Sequence, residues 1–116
     1  MKPLAPKTIA EAKNIVAALM SEAELTTHVL KYAEDFGWTL RYHTHRSDRS
    51  DKGWVDWVFA NLKQSRVIFV ELKSQKGKVS PEQADWLAAL KLCGQESYLF
   101  RPEDLRNGSI ERVLGG

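Results

Sequence analysis

The chain has a single cysteine, Cys93, so no internal disulfide can form. A reduced, cytoplasmic setting is expected. Cys93 closes an Ala-Leu-Lys-Leu-Cys-Gly stretch that reads as a helix end, so the expectation is a packed thiol, not a nucleophile. There is no long apolar run, which excludes a helical membrane span. Lys2 and Lys7 precede no continuous apolar stretch, so no secretory leader is expected. Neither sign of charge dominates: 17 basic residues face 15 acidic ones, for a net charge of +2. That balance permits a nucleic-acid partner without demanding one, so the placement of the charges has to decide. Repeats and low-complexity tracts are absent too. What remains is 116 residues with 43% hydrophobic and 28% charged content, which suits one soluble domain with a modest core.

Helical periods open the chain. Thr8 and Glu11 have capping-box spacing, and Ile9, Ala12, Val16 and Leu19 follow on one stripe. Residues 1–20 therefore read as an N-terminal helical arm, available for packing or dimerisation, ahead of a main domain at 21–116. Ser21 and Glu24 cap a second helix that runs to Phe36 and stops at Gly37, with Leu25, Val29, Ala33 and Phe36 as its apolar stripe.

Strand patterns come next. Trp38 to His45 alternates, with Trp38, Leu40 and Tyr42 on one side and Thr39, Arg41 and His43 on the other. Trp54 to Ala60 and Val67 to Lys73 are the next two strands, joined by a hairpin. Ser80, Pro81 and Gln83 open a third helix that runs to about Cys93, with Ala84, Leu87, Leu90 and Trp86 expected toward the core. Glu96 to Phe100 is a fourth strand, and a short helical or irregular tail follows it. Three consecutive strands make an antiparallel meander, and the crossover helix returns the fourth strand in parallel. The expected fold is α/β: a mixed four-stranded sheet flanked by helices, αβββαβ, with an extra N-terminal helix.

The middle hairpin carries the chemistry. If Ala60 pairs with Val67, the antiparallel register sets Asp56 opposite Glu71, with Cβ atoms about 4.5–5.5 Å apart. Lys73 shares their face, two residues on. Two carboxylates this close repel unless a cation separates them. Oxygen ligands suit Mg²⁺ or Mn²⁺, and no Cys or His cluster suits zinc. Lys73 then stands where it can orient an attacking water. A one-residue slip would send Asp56 to the other face. The bland alternative is a solvated Glu-X-Lys on an edge strand.

The runs Gly53-Trp54-Val55-Asp56 and Phe69-Val70-Glu71-Leu72-Lys73 resemble the PD-(D/E)XK nuclease signature. With Gly77-Lys78-Val79-Ser80-Pro81-Glu82-Gln83, the chain resembles the VRR-NUC family over about residues 21 to 105. One position departs from the pattern, because Val55 stands where the family usually has proline. Proline there shapes the backbone and coordinates nothing.

The resemblance implies a restriction-endonuclease-like core and metal-dependent DNA hydrolysis, with Asp56, Glu71, the Leu72 carbonyl and a helix carboxylate as ligands. That carboxylate is Glu22 or Glu24. Glu22 lies with the buried stripe and is preferred, whereas Glu24 lies with His28 and Lys31 and already caps Ser21. Gln83 is implied near the metal or the attacked phosphate. A homodimer acting on branched DNA, in the manner of a Holliday-junction resolvase, is implied as well.

Basic residues flank these positions. Arg46, Arg49 and Lys52 precede Asp56, while Lys76 and Lys78 follow Lys73. Both groups could grip phosphates on either side of a scissile bond; the bland alternative is a pair of ordinary solvated loops. His43 and His45 are expected as further DNA contacts, since a histidine metal site would lack a third ligand. The rival readings are a nuclease fold kept only for DNA binding and a sequence-specific restriction enzyme. The chain is short for the base-reading elements of the latter.

Overall fold

The computed structural model describes residues 5–45 and 51–116 of the chain. The expectations for Arg46 and Arg49 fall outside the described residues. Helices α1 (Ile9–Leu19) and α2 (Glu22–Asp35) come first. Strands β1 (Leu40–His43), β2 (Trp57–Asn61) and β3 (Arg66–Leu72) follow, then α3 (Pro81–Leu92) and β4 (Glu96–Phe100). Helices α4 (Pro102–Arg106) and α5 (Ser109–Gly115) form the tail. The sheet order is β1-β2-β3-β4, antiparallel except for the parallel β3/β4 pair. This is the expected mixed four-stranded α/β sheet. No described helix is long and apolar enough to cross a membrane.

Local chemistry explains the helix ends. Ser21 Oγ accepts the Glu24 N–H, and the Glu24 carboxylate accepts the Ser21 N–H. Ser80 and Gln83 repeat this reciprocal arrangement at α3. Each box satisfies two donors that a helix N-terminus otherwise leaves open.

The core lies on one face of the sheet. Leu25, Val29 and Ala33 of α2 pack there against Phe59, Ile68, Val70 and Leu72, with Ile110 and Leu114 of α5 beside them. These strand positions alternate along β2 and β3, as a half-covered sheet requires. Trp38 is fully buried in this layer, and its indole N–H donates to the Leu114 carbonyl at 2.8 Å. The Arg66 guanidinium lies 5.1 Å above the same ring.

Several boundaries differ from the sequence reading, and three of them have a clear cause. β1 begins at Leu40, because Trp38 leaves the alternation to anchor the tail. β2 begins at Trp57 and not at Trp54, because Trp54 turns away from the strand toward α3. The ladder of β3 ends at Leu72, although the Lys73 N–H still donates to the Phe100 carbonyl.

The second face is only partly covered. α3 packs on β4 and buries no residue fully: Leu87 and Leu90 are half-buried, while Ala84 and Trp86 are exposed. One helix spans only part of a four-stranded sheet. Leu40 and Tyr42, which share that face through their pairing with Ala60 and Val58, are therefore 60% and 59% exposed. The far end of α3 projects outward, which leaves Cys93 exposed and not packed. On α1 only Ala17 is buried, while Ile9, Val16 and Leu19 of the apolar stripe stand in solvent.

Candidate active site

The register expected of the hairpin is the one observed. Ala60 pairs with Val67 and the ladder runs on to Trp57 and Val70. The next step brings Asp56 to Glu71 at the open end of β2 and β3. Asp56 has left the ladder, but its Oδ2 accepts the Leu72 N–H at 2.8 Å, which ties the carboxylate to the neighbouring strand. Its own carbonyl accepts the Thr44 N–H at 2.8 Å. Thr44 Oγ1 donates to the Val55 carbonyl at 2.6 Å. Val55 itself is fully buried, so packing and this hydroxyl hold the backbone where the family usually has proline.

Glu71 is 1% exposed. Its Oε1 accepts the Gln83 side-chain amide at 2.8 Å and lies 3.9 Å from Lys73 Nζ. Its Oε2 is buried and has no hydrogen-bond partner among the described residues. A buried carboxylate oxygen without a partner is costly. Burial first, and the Asp56 charge second, push the Glu71 carboxyl up to about 8, while Lys73 opposes them. A divalent cation at Oε2 would satisfy both the orphaned oxygen and the repulsion from Asp56. The hard oxygen donors suit Mg²⁺ or Mn²⁺. Among the described residues no third Asp, Glu, His or Cys joins the pair.

The loop before Asp56 is clasped to α3. Gly53 has φ +87°, and a Cβ there would fall 2.5 Å from the Glu82 carbonyl carbon. Lys52 Nζ lies 3.4 Å from Glu82 Oε1, and the Trp54 and Trp86 rings meet edge to face at 4.8 Å. Residues 52–54 thus grip the turn of helix that carries Gln83. Asp56 and Gln83 approach Glu71 from two segments that also touch each other.

The other expected residues divide. Glu22 is half-buried at the first turn of α2, while Glu24 is exposed and engaged with Ser21. Lys76 and Lys78 are exposed in the loop after Lys73. His45 is exposed beyond the end of β1. His43 needs a correction. It pairs with Trp57, so it lies on the face opposite Asp56, with its ring stacked on that of Trp57 at 4.3 Å. Period-two alternation sends neighbours to opposite faces, and Trp57 adjoins Asp56. Sequence reasoning missed the part of Thr44, which acts through backbone groups of Val55 and Asp56 and so leaves no local pattern to find.

A mixed αβββαβ sheet with paired carboxylates and a lysine at the open end of its hairpin defines a PD-(D/E)XK-type nuclease domain. The model of the VRR-NUC domain matches residues 10–102, so the chain belongs to the VRR-NUC family, whose members are nucleases acting on DNA. The matched stretch begins inside α1. Neither the curated proteins nor the solved structures gave a match. PD-(D/E)XK-type domains generally use divalent metals.

Proposed function

We propose that this domain is a Mg²⁺- or Mn²⁺-dependent DNA endonuclease acting on branched DNA. The observation that carries the reading is Glu71, whose buried Oε2 has no hydrogen-bond partner among the described residues and whose carboxyl is raised by the neighbouring Asp56. Asp56, Glu71 and the Leu72 carbonyl would hold the metal, with Glu22 contributing through water. A bound divalent cation would supply Lewis-acid polarisation of a phosphoryl oxygen and make water more acidic.

The chain's own residues do the rest. Gln83 fixes the rotamer of Glu71 by donating to Oε1. Lys73, with 17% of its side chain exposed, keeps its ammonium beside the carboxylates. There it orients the attacking water and offsets negative charge developing on phosphorus. The water oxygen bonds to phosphorus as the bond to the 3′ oxygen breaks. A 5′-phosphate and a 3′-hydroxyl result. Lys52, Lys76, Lys78 and His45 would meet the DNA backbone around the scissile bond. His43 is withdrawn from this set, because it lies on the other face.

A homodimer would bring two such sites to two strands of a junction. The exposed apolar stripe of α1, with Ile9 76%, Val16 59% and Leu19 78% exposed, supports α1 as its interface. A reduced, intracellular setting accords with the lone thiol of Cys93.

The test is cleavage of labelled four-way junction, flap and linear duplex with Mg²⁺, Mn²⁺ or EDTA, comparing wild type with Lys73→Ala. Junction cutting that needs metal and vanishes in the variant is the expected result. DNA binding without cutting in either metal would leave a binding module in place of an enzyme. Sedimentation of the wild type tests the dimer separately, and a monomeric mass would remove the two-site arrangement.

A further inference from the structure

Lys76 and Lys78 stand on a loop whose own backbone has unfavourable chemistry for an anion. Carbonyl oxygens turned toward a phosphate repel it. Here they are turned inward onto one cation. Arg101, at the junction of β4 and α4, donates through Nη1 to the carbonyls of Ser74 at 2.7 Å, Gln75 at 3.2 Å and Gly77 at 2.8 Å. A second tie comes from the same segment, because the Glu103 N–H donates to Gln75 Oε1 at 2.9 Å. The Gly77 N–H closes the turn on the Ser74 carbonyl at 3.1 Å, and a Cβ on Gly77 would come within 2.9 Å of Ser74 Oγ. The loop is therefore a tight turn wound around a guanidinium. Lys76 and Lys78 are its exposed side chains, and it leaves β3 directly after Lys73.

We propose that Arg101 is a positioning residue for DNA binding: it gathers the loop carbonyls inward so that Lys76 and Lys78 present their ammonium groups to phosphates beside the scissile bond. Arg101 makes no contact with DNA in this arrangement and acts through the loop. The inference rests on the reading of Lys76 and Lys78 as phosphate contacts. Nη1 carries two hydrogens for these three carbonyls, so at least one N–H is shared between two of them.

The experiment measures affinity for a labelled four-way junction in EDTA, across a range of salt concentrations. The proteins are wild type, Arg101→Met, the Lys76→Ala/Lys78→Ala double variant and the combined triple variant. Each phosphate contact contributes about 0.9 to the slope of log affinity against log salt on duplex DNA. The double variant is expected to lose about 1.8 of that slope. Arg101→Met is expected to lose a similar part, and the triple variant to bind no more weakly than the double. That non-additivity is the signature of action through the lysines. Should Arg101→Met fail to fold, Gln75→Ala severs only the tie to Glu103, and a smaller loss of the same kind is expected. Losses that add in the triple variant, or an unchanged slope in Arg101→Met or Gln75→Ala, would overturn the inference. An unchanged slope in the lysine double variant would overturn both the inference and the loop's role, while leaving the carboxylate site untouched.

Discussion

The Gln83 side-chain amide donates to Glu71 Oε1 at 2.8 Å, while the Gln83 Oε1 accepts the Ser80 N–H at 2.9 Å. One side chain thereby closes the N-terminal cap of α3 and fixes the most buried carboxylate of the site. Capping and site geometry are one arrangement here, not two.

Replacing Gln83 by Leu breaks both bonds. Residues that orient a metal ligand typically contribute about 10- to 100-fold to metal affinity or activity. A loss in that range is expected for Gln83→Leu, read as single-turnover cleavage at several Mn²⁺ concentrations. Gln83→Glu keeps the acceptor for Ser80 but sets a third carboxylate against Glu71. It should retain the cap and lose activity. Full activity in Gln83→Leu would remove the orienting role.

Glu71 makes the metal-free protein sensitive to pH in a defined direction. Its carboxyl is raised from the ordinary 4.5 to about 8, by burial and by Asp56. The folded state therefore favours the protonated form. The stability this contributes is complete below the unfolded value and is lost as pH rises through about 8. In EDTA, the melting temperature of the wild type should fall between pH 5 and pH 8.5 more steeply than that of Glu71→Gln, which keeps the shape and cannot ionise. Mg²⁺ should restore the wild type at the alkaline end and leave Glu71→Gln unmoved. Parallel melting profiles for the two proteins would contradict this account.

Gly53 has no room for a side chain. The backbone is left-handed at φ +87°, and a Cβ would meet the Glu82 carbonyl carbon at 2.5 Å. Left-handed strain alone costs about 1–2 kcal/mol for an alanine, and the clash is with backbone that cannot swing aside. Gly53→Ala should lower stability by more than that strain and reduce cleavage, because the loop that delivers Asp56 must lift off the helix that carries Gln83. Chemical denaturation and a cleavage rate per folded molecule separate the two effects. A stable variant with unchanged rate would show that the clasp does not set the site.

Arg66 offers the contrast. It donates to Glu96 Oε2 and Oε1 at 2.9 and 2.6 Å and to the Val113 carbonyl at 2.8 Å, at the end of β3 remote from Glu71. Glu96 holds its pKa up and is itself held below the usual carboxylate range in return. Removing one partner of such a half-buried network costs about 2 kcal/mol. Arg66→Met should therefore melt earlier while cleaving at the wild-type rate per folded molecule.

Some of this was legible in the residues because the deciding physics is local. A side chain's position along a strand fixes its face, and the hairpin length set Asp56 against Glu71. The capping boxes at Ser21 and Ser80 required only a spacing of three residues. Leu25, Val29 and Ala33 declared their buried stripe through helical period alone. The grouping of two carboxylates with a lysine at one end of the hairpin followed from those patterns.

Tertiary structure alone decided which layer covers which face. Apolar period could not show that α3 would leave Trp86, Leu40 and Tyr42 exposed, because a helix covers only the strands it reaches. His43 looked available to DNA until its pairing with Trp57 set it behind the sheet. Arg101 and Gly53 act on backbone atoms 24 to 29 positions away, where no side-chain pattern records the contact. Spacing determines what a segment can present. Packing determines what it meets, because burial and hydrogen-bond partners come from segments that only the folded chain brings together.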